Sequence, residues 1–526
     1  MSKEKGQIGK DVIESLTLGM YEDCRYIYRE YIQNAADSVD KAVKEGIISK
    51  GSDQIMVNID VDKRRIIIED NARGIPSASA QAILRDIAHS TKKRGEDKGF
   101  RGIGRLGGLG YCSTLTFTTS FPGEDCKSIM VWDADRLKNI INDRDTYQEA
   151  ADVLIDVTKF STSKEKADIH YFKVELDGIT TDDLLDVNAV RDYLSMVAPV
   201  DISSNFLFKK DINKFMKDNC LSLDTYNIFI NSDQVYKPYT SYIYEDNHGG
   251  KKKVDEILGV DFLLQNDSDG NVMYWGWYTI SGLHGQMKQK NLARGIRLRK
   301  ENIQIGDEEI CRKFFTKTED QRFSFYFFGE IHAVSKGLIP NSRRDYFGES
   351  DTCQLFEKLL RNDFIKLKDL CYDASRYRTA QTTINKTEEI RQEIAKKEAE
   401  GYTSKTERED LQRKLEEQKK KQAEAEKTLK RVKEKMEEHQ SPLLSHLDSI
   451  SPQSPVDSKP VAKQKDITPV DFSNIKTKFR TDGPKYSAYK KNEKKLIGRI
   501  YDSIKNFLPA EMGDLLINKI EEDITK

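Results

Sequence analysis

Acidic and amide side chains early in the chain stand at spacings that suit chemistry on a phosphate group. Glu30, Asn34 and Asp37 follow one another at intervals of four and three residues, so on a helix they share one face. The amide oxygen of Asn34 could bind Mg²⁺, which prefers oxygen ligands, and the carboxylate of Glu30 could orient and deprotonate a water molecule. Taken alone, the same spacing also fits an ordinary polar helix face.

A short apolar run that ends in acids forms a second block, at residues 66–76. Three isoleucines precede Glu69 and Asp70, and Gly74 follows in a stretch typical of a turn. A carboxylate at the end of a strand, here that of Asp70, can accept a hydrogen bond from an adenine amino group. Glycine at position 74 would let the backbone approach a ligand where a Cβ would block it. A β-turn with ordinary Asp-Asn chemistry is the alternative.

A glycine-rich segment at residues 99–110 is the third block, with six glycines in twelve residues. Its backbone amides could point at phosphate oxygens, and a helix beginning near Gly104 would add its positive N-terminal end. A flexible surface loop would have a similar composition. The segment does not directly follow a strand, and the chain has no GxxxxGK[ST] sequence, which argues against Rossmann and P-loop sites.

In their order and spacing, the three blocks resemble the ExxxN, DxxxG and GxxGxG motifs of the GHKL ATPases, which include gyrases, heat-shock chaperones, histidine kinases and MutL. The resemblance is strongest to the heat-shock-protein-90 family, including bacterial HtpG, and covers about residues 8–350. It implies an α+β protein that binds ATP and Mg²⁺. The expected architecture is a Bergerat-type two-layer α/β sandwich, then an α/β transducer domain, then a helical or coiled-coil C-terminal region.

The resemblance also implies a role for individual residues. Glu30 would be the general base, Asn34 the Mg²⁺ ligand and Asp70 the residue that binds adenine. The other expected nucleotide contacts line the pocket or cradle the phosphates: Asp37, Gly74, Ser90, Thr91, Gly99, Arg101, Gly102, Ile103 and Gly104. Two features depart from the family pattern. Ala72 replaces the first turn glycine, and the lid between Thr91 and Gly99 is shorter than in the chaperones.

A segment with two adjacent arginines lies much later in the chain, at residues 337–347. It resembles the chaperone loop that brings an arginine to the γ-phosphate. Alignment on Asn341 and Asp345 favours Arg344 as that arginine, with Arg343 as the second candidate. A guanidinium group in this place would stabilise charge in the transition state. A surface arginine pair bound to neighbouring acids is the alternative.

The elements that must position these residues follow from hydrophobic periodicity. Helical spacing over residues 8–45, with a stop near Gly46, precedes short β-branched runs and a further helix, which indicates an α+β layer sandwich. The further helix is expected at residues 80–89. Strands are expected at residues 54–60, 65–69, 115–120, 128–133, 153–159, 170–176, 226–231, 274–280, 295–299 and 324–331.

A chain of 526 residues exceeds the size of one hydrophobic core and predicts several domains. The expected segments are an ATP-binding domain (1–180), a transducer-like domain (181–370), a long helix or coiled coil (371–440), a disordered linker (441–480) and an amphipathic helical tail (481–526). Between Leu411 and Met436 an a/d pattern fits either one solvated helix or a coiled coil. Such a coiled coil would pair two chains or fold back on itself.

Composition narrows the cellular setting and the partners. The net charge of −1 gives no general attraction to nucleic acid or to an anionic membrane. Seven scattered cysteines without a CxxC pair argue against a disulfide framework or a zinc site and favour reduced thiols in a cytoplasmic protein. The N-terminus lacks an apolar signal core, and no run approaches the roughly 20 apolar residues of a membrane span, so no membrane partner is expected.

Four functions compete on this basis. An ATP-driven clamp that acts as a homodimer on a protein partner or client is favoured, and a MutL- or MORC-like clamp on nucleic acid, for example in prokaryotic defence, is the alternative. A histidine kinase is disfavoured, because the ATP motifs begin at residue 30 and leave no room for an upstream acceptor helix. A nucleotide sensor without turnover would differ from the first hypothesis only in lacking hydrolysis.

Overall fold

A computed structural model describes most of the chain, namely residues 8–17, 23–87, 104–143, 145–247, 250–341 and 343–450, with parts of 479–521. It divides into two compact units, Met1–Pro452 and Gln453–Lys526. Within the described residues, no helix is both long and apolar enough to cross a membrane. All seven cysteines are free thiols.

The first part of the larger unit is built around an eight-stranded sheet. Its elements are α1 (Asp11–Thr17), α2 (Tyr26–Lys44), β1 (Ile55–Asp60), β2 (Arg65–Asp70), α3 (Ser77–Arg85), β3 (Thr114–Ser120), β4 (Cys126–Asp133), α4 (Ala134–Asn142), α5 (Ala150–Val157), β5 (Thr158–Lys164), β6 (Tyr171–Asp177), α6 (Val187–Val197), α7 (Lys209–Asp218), β7 (Ile228–Ile230) and β8 (Asp233–Gln234). The strand order is β5-β4-β3-β6-β2-β1-β7-β8. Only β1 and β7 pair in parallel among these described strands.

One face of this sheet carries the first hydrophobic core. Ile66 and Ile68 alternate along β2 and are buried, as are Ile27 and Ile32 on the apolar side of α2. Helix and strands meet in one cluster, so α2 lies across the sheet with its polar side turned to the edge of the core. This layered mixture of helices and a large sheet agrees with the predicted α+β class and with a GHKL-type ATP-binding domain.

The first core continues beyond residue 180, where the sequence predicted a domain boundary. Val190 and Leu194 of α6, together with Ile228, Ile230 and Val235, belong to the same buried cluster as α2. The reason is that β7 pairs with β1 and thus extends the first sheet. The strands of the second sheet begin after β8, but Phe206 and Ile212, which precede β7, already pack in one cluster with Trp275 and Trp277.

Two of the predicted strands are wrong in part. Residues 153–157 are helical and belong to α5, and β5 starts at Thr158. Val153 and Val157 stand four residues apart and are both buried, so their spacing fits one helix face as well as a strand. Similarly, the strand predicted at 324–331 starts at Phe328, because Gln321–Phe325 forms a 3-10 helix.

A six-stranded sheet forms the second part of the same unit. Its strands are β9 (Tyr242–Asn247), β10 (Gly250–Asn266), β11 (Val272–Ser281), β12 (Gly295–Lys300), β13 (Ile303–Ile305) and β14 (Phe328–Ala333), in the order β13-β12-β14-β11-β10-β9. Alternate residues of β11 enter different clusters: Tyr274 and Tyr278 face one core, Trp275 and Trp277 another. Both faces are therefore buried, which explains the almost continuous apolar run of β11.

Two long helices follow the second sheet and form an antiparallel hairpin. Helix α8 (Asp351–Glu400) ends at Gly401, whose φ of +98° suits glycine, and Ser404 caps α9 (Lys405–Glu438). Contacts between the helices run in opposite order along the two sequences: Asp373 with Lys435 at 3.0 Å, Thr383 with Gln418 at 3.2 Å, and Lys397 with Glu407 at 2.7 Å. The helical segment predicted at 371–440 thus folds back on itself within one chain.

The remaining helices are short. Helix α10 (Leu447–Ile450) ends the larger unit, and Ile450 is buried in the second core. Most of the predicted linker, residues 451–478, lies outside the described residues. In the smaller unit α11 (Lys491–Phe507) is amphipathic, as predicted, and its Tyr501 packs against Phe479 with ring centroids 4.9 Å apart.

Candidate functional site

Helix α2 places the three polar residues of the first block on one side. Asp37 is buried, Asn34 is half-buried, and the side chain of Glu30 is 14% exposed. The helix ends at Lys44, and Gly46 follows with a φ of +73°, which confirms the predicted stop. The opposite side of α2 carries the apolar residues of the first core, so the polar side faces away from the sheet interior.

The carboxylate of Glu30 lies between an arginine and a glycine. Arg29 Nη2 approaches Glu30 Oε1 at 3.3 Å, and a Cβ added at Gly104 would overlap the Glu30 carboxylate. Arg29 is itself buried, and its guanidinium lies 4.2 Å from the ring centroid of Tyr26. A buried arginine next to a half-buried carboxylate restricts the orientations open to both groups.

Asp70 ends β2 as an acid enclosed by the protein. It is 2% exposed, and its Oδ1 accepts the backbone N–H of Ala72 at 3.1 Å. Burial raises the pKa of Asp70 to about 8, because desolvation outweighs the backbone N–H groups of Ala72 and Phe172. A neutral or half-ionised carboxyl of this kind can both donate and accept, which suits a heterocycle with adjacent donor and acceptor atoms.

The turn after Asp70 depends on Gly74. Its φ is +67°, and a Cβ there would overlap the carbonyl oxygen of Ser120 and lie 2.8 Å from that of Tyr171. The turn therefore packs directly on the ends of β3 and β6, which only glycine permits. Ala72, which departs from the family pattern, is fully buried and lacks a positive φ, and its carbonyl lies 2.7 Å from His170 Nδ1. A Cβ is thus accommodated at position 72.

The described part of the glycine-rich segment begins with a 3-10 helix at Gly104–Gly110. Gly104 meets Glu30, and a Cβ at Gly108 would overlap the hydroxyl of Tyr31 and lie 2.7 Å from Leu176 Cδ2. These two glycines therefore let the segment pack closely on α2, a role that the sequence did not indicate. The other predicted lid contacts lie outside the described residues: Ser90, Thr91, Gly99, Arg101, Gly102 and Ile103.

The arginine loop after the second sheet reaches the same helix. Arg344 is 8% exposed, whereas Arg343 is exposed and offers its carbonyl oxygen to Arg29 Nη2 at 3.3 Å. Burial lowers the pKa of Arg344, and the carboxylates of Glu30, Glu301 and Asp37 partly offset that effect. Arg344 also has a left-handed φ of +57°, a conformation that costs on the order of 1 kcal/mol for a side chain with a Cβ.

The loop and α2 thus bring together candidates that lie more than 300 residues apart: Glu30, Asp37 and Arg344. Two further residues of this site escaped the sequence analysis as functional candidates. They are Arg29 and Glu301, for which no sequence motif indicates a role. Their position could be inferred only once the arginine loop was known to reach α2.

The residues present fit a magnesium nucleotide. Asn34 supplies a hard amide oxygen one helical turn from Glu30, and Mg²⁺ is usually held by few protein ligands together with substrate phosphates. The described part of the chain contains no cluster of three His, Cys, Asp or Glu side chains that could hold a metal ion. Asp70 provides an enclosed carboxyl that could bind a base, and Gly74 lets the following turn pack on β3 and β6.

Comparison with known proteins supports this assignment for part of the chain. Residues 27–162 match the family described as histidine kinase-, DNA gyrase B- and HSP90-like ATPase. The segment runs from α2 into β5 and includes Glu30, Asn34, Asp70 and Gly74, so it is similar to a GHKL-type ATP-binding domain and supports ATP binding and hydrolysis. The match does not separate chaperones from the other GHKL proteins. The chain has no match among curated proteins.

Proposed function

We propose that this protein is a Mg²⁺-dependent ATPase that uses hydrolysis to change its conformation while it acts on a protein partner, in the manner of the heat-shock-protein-90 chaperones. The observation that carries the proposal is the burial of Arg344, from beyond the second sheet, within electrostatic range of Glu30 on α2. Because Arg344 and the proposed general base Glu30 belong to different parts of the unit, the rate of hydrolysis would depend on how the two parts are arranged.

The chemistry proposed for the site is an in-line attack of water on the γ-phosphorus. Glu30 accepts the proton of the attacking water, the bond between the γ-phosphorus and the bridging oxygen breaks, and ADP leaves with the electron pair. Mg²⁺, when bound with Asn34 as a ligand, would neutralise phosphate charge. Asp70 holds the adenine, and the Gly74 turn, packed on β3 and β6, fixes the strand end that carries Asp70.

Electrostatics favour Arg344 over Arg343 for contact with the γ-phosphate. Removing Arg344 from water is costly, and its lowered pKa reflects that cost. A polyphosphate would offset the cost, because its oxygens form charge-assisted hydrogen bonds with a guanidinium group. Arg343 already projects into solvent and contributes a backbone carbonyl to the contact with Arg29.

The first test is replacement of the proposed base. Glu30→Gln keeps the shape of the side chain but cannot accept the proton, so we expect turnover to fall by about 10²–10⁴. Binding of MgATP, measured by calorimetry, should stay within about threefold of wild type. Glu14→Gln, an exposed acid on α1, is the matched control and should change neither quantity. Loss of binding together with turnover would contradict the role of Glu30.

The two neighbouring arginines provide a second test. Arg344→Ala should lower kcat by about 10³ or more, as expected for an arginine that stabilises transition-state charge. Arg343→Ala should stay close to wild type, because only its backbone carbonyl contacts Arg29. Steady-state ATP hydrolysis distinguishes the variants. Equal losses in both, or a loss confined to Arg343→Ala, would refute the assignment of Arg344.

The partner remains part of the proposal. The exposed lysines at positions 419–421 of α9 could contact phosphates, but acidic residues flank them at Glu416, Glu417 and Glu424. A mixed-charge helix of this kind suits a protein surface better than a nucleic acid. DNA binding that weakens steeply with salt would instead favour the clamp on nucleic acid.

A further inference from the structure

A buried ion cluster lies on the second sheet of the larger unit. We call it the Glu330 cluster, and its members are Glu330, Lys237, Tyr239, Arg299, Asn302 and His332, all 5% exposed or less. Glu330 accepts hydrogen bonds from Lys237 Nζ at 2.9 Å and from Tyr239 at 2.8 Å, and Arg299 Nε forms an ion pair with it at 2.6 Å. The ring of His332 approaches Glu330 Oε2 at 3.1 Å. One carboxylate thus organises side chains from β12, β14 and the linker after β8.

This cluster holds the turn between β12 and β13. Lys237 Nζ donates to Asn302 Oδ1 at 2.5 Å, and Arg299 Nη1 donates to the Asn302 carbonyl at 3.0 Å. Glu301 and Asn302 have φ values of +52° and +61°, so two consecutive residues are kept in the left-handed region. Positive φ at both central residues fits a type I′ hairpin turn, and two hydrogen bonds from buried cations to Asn302 hold it in place.

The same turn is tied to the first part of the unit. Asn302 Nδ2 donates to the carbonyl of Asp224 at 2.7 Å, two residues before Tyr226 of the first core. Arg299 Nη2 donates to the carbonyl of Met196 at 2.6 Å, in the last turn of α6. The side chains of Asn302 and Arg299 therefore tie the β12–β13 hairpin to the part of the unit that contains the eight-stranded sheet.

At its other end, the hairpin holds the arginine loop. Gly306, directly after β13, donates its N–H to the carbonyl of Arg344 at 2.8 Å. A Cβ at Gly306 would lie 2.8 Å from the carbonyl of Asp345, so hairpin and loop are in backbone contact. Glu301, at the turn, is half-buried. Its carboxylate raises the pKa of Arg344 and so partly offsets the lowering that burial causes.

We propose that the turn Glu301–Asn302 positions Arg344 for the reaction, with Asn302 fixing the hairpin against the first core and Glu301 balancing the guanidinium charge. Neither residue needs to touch the nucleotide. Both are positioning residues, and the inference rests on the ATPase function proposed above. A displacement of about 1 Å in a group that must meet a reacting atom can cost about 100-fold in rate, so a turn held by so many contacts matters for turnover.

The test removes the side chain of Asn302 without straining the backbone. Asn302→Gly tolerates a positive φ, so it deletes the contacts to Lys237 and Asp224 while the turn remains allowed. We expect kcat to fall about tenfold, with MgATP affinity within about threefold of wild type. Glu301→Gln should lower kcat in the same sense. Cys220→Gly, an exposed residue with a φ of +53°, is the matched control and should not alter kcat.

A double variant distinguishes positioning from a purely structural role. If Asn302 acts through Arg344, Asn302→Gly should cause no further loss of kcat in an Arg344→Ala background. Multiplicative losses would overturn the proposal, as would Asn302→Gly and Glu301→Gln variants that turn over like Cys220→Gly. Loss of MgATP binding in Asn302→Gly would overturn it too. A wild-type protein that binds MgATP without hydrolysing it would instead refute the proposed ATPase function.

Discussion

Asp70 in the first sheet and Glu330 in the second are both carboxylic acids shielded from water, yet the protein treats them in opposite ways. Asp70 receives only backbone N–H groups among its described partners, and burial raises its pKa to about 8. Burial would raise the pKa of Glu330 as well, but Arg299 and Lys237 hold it well below the ordinary value. Equal burial thus gives a carboxyl that tends to stay protonated and one that stays ionised.

The difference indicates that the carboxyl of Asp70 is available to a ligand, whereas the carboxylate of Glu330 stabilises the fold. Glu330 is surrounded by side chains of opposite charge and by a hydroxyl donor, so its carboxylate oxygens already have partners inside the protein. Asp70 keeps a desolvated oxygen pair at the end of a strand beside the Gly74 turn. Such a group lowers the stability of the fold at neutral pH, and a buried acid of this kind marks a candidate binding site.

The larger expected effect concerns Glu330. Glu330→Gln would leave Lys237 and Arg299 buried without their carboxylate, so we expect a loss of about 3–5 kcal/mol in the free energy of unfolding. Urea denaturation measures this loss. Adding Lys237→Met to Glu330→Gln should recover part of it, because one of the uncompensated charges is then removed.

Glu319→Gln serves as the control for that experiment, since its carboxylate is 71% exposed and pairs only loosely with Lys317 at 4.0 Å. It should leave the free energy of unfolding unchanged within error. If Glu330→Gln were no more destabilising than this control, the contrast between the two buried acids would have no energetic basis.

The smaller effect concerns the pH dependence due to Asp70. Its folded pKa of about 8 lies above the ordinary value of 3.8, so between these values the folded protein holds a proton that the unfolded chain has released. Its contribution to stability is therefore complete below pH 4 and is lost as pH rises towards 8, by up to about 1.4 kcal/mol per pH unit. Asp70→Asn should remove this slope, which denaturation at several pH values would measure.

Glu69→Gln provides the comparison. Glu69 is the half-buried neighbour of Asp70 on β2, so this variant removes a different carboxylate from the same strand. It should retain most of the slope attributed to Asp70. Identical slopes in wild type and Asp70→Asn would mean that Asp70 is ionised in the folded protein and would remove its distinction from Glu330.

Much of the first sheet could be predicted, because its signals are local. The strands at 55–60 and 65–70 and the end of α2 before Gly46 lie within one or two residues of the predicted limits. The run at 153–159 misled because two valines four residues apart suit a helix as well as a strand. Strand β10 was missed because its first residues, from Gly250 to Lys253, are glycine and lysines of low strand propensity.

In the candidate site, too, the local arrangement could be predicted from the sequence and the long-range contacts could not. Glu30, Asn34 and Asp37 are neighbours on one helix, so their spacing alone brings them together. The approach of Arg344 to them could be expected only from family resemblance, since nothing within its own loop indicates burial. The Glu330 cluster had no sequence signal at all, because Lys237 and Glu330 are 93 residues apart and meet only through the order of strands.

The helical hairpin has a mechanical consequence. Residues of α8 up to Tyr377 belong to the second core, and Glu400 lies 23 residues further along the same helix. At about 1.5 Å per residue, the tip stands roughly 35 Å beyond the last anchored turn. Any tilt of the second sheet that follows ATP turnover would be amplified at that distance, so a rotation too small to disturb the packing near Tyr377 would carry the tip through several ångströms.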